Sequence, residues 1–469
     1  MNIADRPAKS AAWIIGALTF TELTAVLETL LVYAAMKEFL RVFEDPHGVG
    51  LLVVVYLVMV TTSTVIGGRL GDIFGRRKVL LILLGFALVG SIISALATSL
   101  PWIIFGRAVQ GISGAILPLT YGLAYEQLRS DKAPLAVGII SGTAVVSAGL
   151  ALVLGGLIVD HLNWRFIFVL SGAFALLSMA ALLIFLAPSP AQPRKKLDYP
   201  GGALFILMML SLLIGANSSR YIGQTPATIL IVTGVCIGIY WVWFEQRRND
   251  PLIDVRLLGN PHIAGANFVK FASSAGAAQM SLIFSMFLQQ PTATGVGLGL
   301  AATVAGLVIL PSNLIGIVCG PLTGWVAARF GGKLAATIGM SLLSISSLGL
   351  YFHHSTLLGV ALLLIVKGAG ITVTYAAVPL VALPHAPEGR ISEVASVTTL
   401  FRGAGQIIGA SVFTFVIATW TFEGGVYPSE FAYELVFLFA FVMSFLGLLV
   451  TFLIPDHRPD ISAMKAKHA

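Results

Sequence analysis

Two carboxylates, Glu22 and Glu28, sit in an otherwise apolar run near the start of the chain. Burial penalises the charged form of a carboxyl and raises its pKa, so each is a candidate for reversible protonation near neutral pH. The alternative for each is a structural ion pair with a buried base. Six residues along a helix are about 600°, so the two acids point roughly 120° apart and would border one wide cavity unequally. Four bases, Arg107, Lys270, Lys367 and Arg402, also fall within apolar runs. A base placed there needs a partner, a watery cavity or a route for its head group back to the interface. Lys270 and Lys367 are each read as a counter-ion to Glu22 or Glu28, a contact for an anionic substrate, or a snorkelling side chain. Tyr56, Gln110, Tyr121, Gln279, Asn313, Tyr375 and Gln406 are the remaining polar groups that could line a cavity, or else hydrogen-bond between helices.

These groups must be positioned by elements that live in lipid. The 469 residues are 57% hydrophobic and 10% charged, with mean hydropathy +0.93, whereas soluble domains carry roughly 25% charged residues. Fourteen span-length windows are predicted as helices, at about 13–35, 50–69, 78–98, 101–125, 134–160, 164–187, 200–217, 227–246, 262–288, 299–328, 333–352, 356–382, 392–420 and 432–455. The runs are continuous rather than alternating, and backbone groups in lipid must be satisfied within a segment. The first run is too long for a signal-peptide core and is read as a retained span. With both termini placed inside, 20 of the 28 Lys and Arg lie on cytoplasmic segments, 4 on the opposite side and the four named above within spans. The net charge of +7 is therefore a topology signal rather than a nucleic-acid footprint.

The polar, proline-rich and basic stretch Pro188-Ser-Pro-Ala-Gln-Pro-Arg-Lys-Lys196 reads as a linker. The organisation expected is 1–190 as a six-helix bundle, 191–258 as a basic linker with two inserted helices, and 259–469 as a second six-helix bundle with a short tail. An internal echo supports it. Gly68-Arg-Leu-Gly-Asp72-Ile-Phe-Gly75-Arg-Arg77 matches Gly324-Trp-Val-Ala-Ala-Arg-Phe-Gly331-Gly-Lys333 at a constant offset of 256 residues, with Gly, Phe and Gly coinciding and a base at each end. In the first copy, an acid between glycines at a tight turn can accept backbone N–H bonds at a neighbouring helix N-terminus, while Arg76 and Arg77 can pair with acids. The plainer alternative is a basic loop.

The segment from Gly68 to Lys78 resembles motif A of the major facilitator superfamily, with Ile73 where that family usually has a base. Arg107-Ala-Val-Gln110-Gly111 resembles its motif B, a resemblance that implies a part in proton transfer for Arg107. The run from Leu27 to Ala35 resembles the helix 1 motif of the drug:proton antiporter branch, with Glu28 for Asp and Tyr33 for Asn. Gly155-Gly156 matches the end of the antiporter motif C, but Ala151-Leu152 stands where Gly-Pro is expected, which leaves antiport, symport and uniport open. Trp164-Arg165-Phe-Ile-Phe168, Pro251-Leu-Ile-Asp-Val-Arg-Leu-Leu258 and Phe401-Arg402-Gly-Ala-Gly-Gln406 resemble further segments of the 14-helix branch, in the expected order.

The resemblance implies an all-α polytopic membrane protein with a major facilitator fold: two six-helix bundles plus two inserted helices, 14 transmembrane helices in all. It further implies a multi-pass protein of the cell (inner) membrane with cytoplasmic termini, acting as a monomer on a small-molecule substrate. Lipophilic, cationic drug-like compounds are expected to leave by alternating access in exchange for protons. Glu28, Glu22 and Arg107 are expected to couple protons, and Gly68, Asp72, Gly75, Arg76 and Arg77 to gate. The cavity is expected to draw on Glu22, Glu28, Tyr56, Gln110, Tyr121, Gln279, Asn313, Tyr375, Arg402 and Gln406. Because bases outnumber acids within the spans, an organic anion or lipid-like substrate is the alternative. A non-transporting membrane sensor is another. No cofactor, metal or nucleic-acid partner is expected: neither a phosphate-binding G-x-x-x-x-G-K-[ST] nor H-E-x-x-H occurs. Cys236 and Cys319 form no disulfide framework.

Overall fold

The structure, a computed structural model, describes residues 10–189, 198–217, 223–248, 250–277, 280–294, 296–300, 302–422 and 427–455. Among these residues regular structure is helical, apart from one isolated bridge between Thr421 and Pro428. In chain order the helices are α1 (Ala11–Ala34), α2 (Met36–Phe43), α3 (Pro46–Phe74), α4 (Arg76–Leu96), α5 (Leu100–Gly111), α6 (Ile116–Gln127), α7 (Ala133–His161), α8 (Arg165–Phe185) and α9 (Tyr199–Asn217). They continue as α10 (Gln224–Gln246), α11 (Pro261–Ala275), α12 (Met280–Gln289), α13 (Ala302–Leu314), α14 (Gly316–Phe330), α15 (Gly332–Phe352), α16 (Leu357–Ala382), α17 (Ile391–Thr419) and α18 (Glu430–Leu453).

Twelve helices among the described residues are long and apolar enough to cross a membrane. The other two windows also hold helix. One is α9, whose apolar part is the shorter Tyr199–Leu212. The other is divided into α11 and α12, on either side of residues 278–279, which lie outside the described residues. The span Leu100–Gln127 is continuous but changes pitch, because a 3₁₀ turn, Ile112–Ala115, joins α5 to α6.

How side chains sort on α4 shows the solvent for which the fold is built. Ile82, Phe86, Val89 and Ile92 point outward, while Leu80, Leu83, Leu84, Ala87, Gly90, Ser91 and Ser94 are buried. Large aliphatic groups outside with small and hydroxyl groups inside is what lipid demands, since association there relies on close packing and hydrogen bonds. At Gly90 a methyl group would stand 2.6 Å from the Gly106 carbonyl oxygen and the Gln110 nitrogen, so only glycine permits that approach.

The chain divides into two compact units. The first comprises Met1–Ala133, Leu150–Gly259 and Pro387–Val397; the second comprises Pro134–Gly149, Asn260–Ala386 and Thr398–Ala469. The first unit is centred on Leu27, Leu31, Phe39, Trp164 and Phe168, with the rings of Phe39 and Trp164 edge to face at 5.3 Å. Phe284, Phe287, Tyr433 and Phe437 centre the second, where Phe284 stacks on Phe437 at 5.5 Å.

The 256-residue echo is visible in the backbone. Gly75 separates α3 from α4 at φ +95°, and Gly331 separates α14 from α15 at φ +91°. A side chain at positive φ crowds its own backbone, so both sites require glycine. Arg77, just after the first turn, donates to the carbonyls of Leu182 (3.2 Å) and Leu183 (3.0 Å) in the last turn of α8. Lys333, at the equivalent place, donates to the Phe452 carbonyl near the end of α18 at 3.5 Å. Each base thus adds a donor at the carbonyl end of a helix, where donors within the helix run out.

Candidate functional site

Three polar clusters interrupt the apolar interior. In the first, Glu28 of α1 is 1% exposed and accepts a hydrogen bond from the Ser113 hydroxyl at 3.0 Å, while its other oxygen, Oε1, has no hydrogen-bond partner. Ser113 lies in the 3₁₀ turn. The Arg107 guanidinium donates to the backbone carbonyls of Glu28 (3.0 Å) and Leu52 (3.3 Å) and to Gln110 Oε1 (3.0 Å). Its face covers the Tyr56 ring at 3.7 Å. Gln110 passes the chain on to Ser91 at 2.8 Å, and the Tyr56 hydroxyl meets Thr29 at 2.9 Å. Arg107 therefore grips the backbone beside Glu28 rather than its carboxyl. Among the described residues no base lies within 4 Å of that carboxyl. Glu28 is thus a buried carboxyl with one hydroxyl donor, one oxygen without a hydrogen-bond partner among the described residues, and a guanidinium fixed on the backbone beside it.

The second cluster is built around Lys270, which has no acid within 4 Å among the described residues. Lys270 of α11 is buried, with its ammonium 3.5 Å from the centre of the Tyr375 ring on α16, and the Tyr375 hydroxyl meets Ser274 at 3.2 Å. Asn267, one turn before Lys270, accepts from Thr398 at 2.9 Å and leaves its Nδ2 without a hydrogen-bond partner. Arg402, half-buried on α17, is near enough to Lys270 for their charges to repel. Lys367 is buried on α16.

The third cluster lies where α3 ends. Asp72 accepts from the backbone N–H groups of Ser392 (3.3 Å) and Glu393 (2.9 Å) in the first turn of α17. Anions are favoured there because the unpaired N–H groups and the helix dipole face them. Arg76 pairs with Asp72 at 2.7 Å and Glu126 at 2.9 Å and donates to the Ser392 hydroxyl at 2.9 Å. Gly68 lets the helices touch, since a methyl group there would meet the Ser392 carbonyl at 2.8 Å. Arg69 and Glu393, both 1% exposed, pair at 3.1 Å. Glu393 also accepts from the Asp254 N–H at 2.8 Å, and Asp254 holds Arg390 at 3.1 Å.

The other residues singled out from the sequence are dispersed. Glu22 is buried on α1 and Tyr121 on α6. Asn313 is half-buried on α13, packed against Gly149, and Gln406 is half-buried on α17. Gln279 lies outside the described residues.

A family model described as Major Facilitator Superfamily matches residues 13–410. The chain belongs to that superfamily. This facilitator is 27% identical over 403 residues to the multidrug resistance protein Stp of Mycobacterium tuberculosis, covering 84% of this chain and 73% of Stp. It is 23% identical over 421 residues to the putative multidrug resistance protein MdtD of Klebsiella pneumoniae, covering 87% of each. Among solved structures, the proton:xylose symporter XylE superposes with a TM-score of 0.69 at 16% identity, covering 97% of this chain and 98% of that one. The human organic anion transporter MFSD10 gives 0.64 at 17%, covering 96% and 100%. Identities that low establish the shared fold. The facilitator is a multi-pass membrane transporter rather than an enzyme.

Sequence reasoning passed over Arg69, Glu126, Asp254, Arg390 and Glu393. One local signal was available for Glu393, since a serine and an acid opening an apolar run mark a helix start. Its pairing with Arg69, 324 positions away, follows no local pattern. His354 packs beside Phe437 and faces Glu430 at 3.4 Å; with Glu434 these bring possible metal-ligand atoms within 4.8 Å of one another.

Proposed function

We propose that this facilitator exports lipophilic, cationic drug-like compounds across the cell membrane in exchange for protons, working as a monomer by alternating access with both termini in the cytoplasm. The environment of Glu28 carries the reading: a dry carboxyl with a single hydroxyl donor and no base within 4 Å among the described residues. Protonated, it gives up its charge and its hold on a cation; deprotonated, it supplies the negative charge a cation needs. Arg107, anchored on the Glu28 carbonyl and the Tyr56 ring, keeps a positive charge beside the acid without pairing with its carboxyl. Glu22 is a second acid on the same helix. The cluster around Asp72, with Gly68, Gly75, Arg76 and Arg77, serves as a latch on the first turn of α17. Two bundles carrying an inserted helix pair, fourteen spans in all, complete the design.

Purified protein in liposomes tests this directly. An imposed pH gradient should drive uphill movement of a lipophilic cationic dye, and Glu28→Gln should lose the uphill component while retaining downhill exchange. Uphill transport by that variant overturns the assignment of Glu28. Binding of the dye without flux would instead make the chain a sensor.

A second reading follows from Lys270 and Arg402, which have no acid beside them among the described residues. An organic anion would complement that cluster. Running an aromatic carboxylate in parallel with the dye, in wild type and Lys270→Gln, decides between the two substrate signs.

A further inference from the structure

Asp198 and Glu245 form a pair of buried carboxyls outside all three clusters. Asp198 stands immediately before α9 and Glu245 lies in the last turn of α10, so the two belong to the hairpin between the linker and α11. Asp198 uses one oxygen to cap its helix, accepting from the Gly201 N–H at 3.0 Å, and its Oδ2 has no hydrogen-bond partner. Glu245 is 1% exposed, and neither of its oxygens has a close hydrogen-bond partner among the described residues. The backbone N–H groups of Leu252 and Ile253 are the nearest donors facing it. The free oxygens converge: a methyl group placed on Gly201 would collide with Glu245 Oε1 and stand 2.8 Å from Asp198 Oδ2. Trp241 fixes this geometry by donating to the Gly201 carbonyl at 3.0 Å, and Phe205, Leu252 and Ile253 seal it.

Among the described residues the charges facing the pair do not neutralise it. Arg248, beyond the end of α10, reaches Asp198 at 3.8 Å, but its side chain is 45% exposed and lies over Phe244. From the start of α17 the nearest group is another acid, Glu393, whose own partners are Arg69, Arg390 and the Asp254 N–H. Arg256 in the following turn pairs with Asp254. Asp72 on α3 is taken up by Arg76 and the first turn of α17. Glu245 also sits at the C-terminal, negative end of its helix, which disfavours an anion. Two carboxylates side by side in a buried pocket, served only by backbone N–H groups and one half-exposed guanidinium, repel each other and lack solvation.

We propose that Asp198 and Glu245 are a second proton-binding site, a carboxyl pair that shares one proton, independent of Glu28. The proton stands between the oxygens that crowd Gly201. Its lid, Leu252-Ile253, runs directly into Asp254, the residue that holds Glu393 and Arg390. Loss of the proton pushes the two acids apart, moves that lid and loosens the start of α17.

Infrared spectra of the full-length protein in liposomes, recorded in mildly acidic and in mildly alkaline buffer and compared between wild type and variants, test the site. Wild type should keep a protonated-carboxyl C=O band in alkaline buffer, shifted by deuterium, and both E245Q and D198N should lose it while E28Q keeps it. A band untouched in E245Q overturns the proposal. Melting temperature gives a second readout. E245Q should match wild type at acid pH and melt several degrees higher at alkaline pH, whereas an E245Q that melts lower throughout shows a charged, paired Glu245 and sinks the idea. A sodium-dependent melting temperature, lost in E245Q, would give the site to a metal cation and overturn the proton.

Discussion

The turns at Gly75 and Gly331 share a backbone and almost nothing else. Each breaks two helices at nearly the same positive φ, each leaves an exposed phenylalanine just before it, and each is followed by a base on helix-end carbonyls. Yet Asp72 corresponds to Ala328, Arg69 to Trp325 and Arg76 to Gly332. The first turn carries the charge cluster that grips α17, and the second carries none of its members. The same division runs through the interior. Every buried carboxyl among the described residues, Glu22, Glu28, Asp72, Asp198, Glu245 and Glu393, belongs to the first unit, whereas the buried charged side chains described in the second are Lys270 and Lys367. One backbone turn has been used twice, with the buried acids gathered in one unit.

If that division is functional, E28Q should have the largest effect, a loss of gradient-driven transport on the order of 100-fold, as expected for removal of an obligatory proton carrier, while K270Q leaves proton coupling intact. Flux with and without a pH gradient in the same liposomes separates them. Next comes stability. Glu393→Ala strands Arg69 in a dry site and should cost about 3–5 kcal/mol, read as a steep fall in melting temperature, whereas Trp325→Ala, at the position equivalent to Arg69, should cost far less because that side chain is half exposed. Equal damage would dissolve the contrast between the turns. Gly75→Ala and Gly331→Ala should each cost about 1–2 kcal/mol, because both force a side chain into positive φ; a large inequality would mean the backbone equivalence is superficial. The smallest effect, about 0.5 kcal/mol, belongs to Lys333→Ala, which removes one base from a helix terminus.

The helices were legible because lipid leaves no other choice for an apolar run, and Gly75 because the motif and its echo fall on one turn. The division of the window 262–288 into α11 and α12 carried no such mark in the sequence. Asp72 could be read as a capping acid from its glycine neighbours, but which helix it caps depends on a segment 320 positions away. Arg107 was legible as a base in a span; that it binds the carbonyl of Glu28 and not its carboxyl depends on the angle between α1 and α5, which no spacing encodes. Lys270 likewise needed the structure, because its partner is a ring face contributed by α16.

Ser113, the hydroxyl that answers Glu28, rides on the 3₁₀ turn within the span Leu100–Gln127. A residue in a 3₁₀ helix advances about 2.0 Å along the axis and one in an α-helix about 1.5 Å. Relaxing those four residues to α-helical pitch would shorten the span by about 2 Å. A rearrangement that relaxed this turn would therefore act on a ruler: what it changed would be the length of a helix, and length carries along everything attached to its far end.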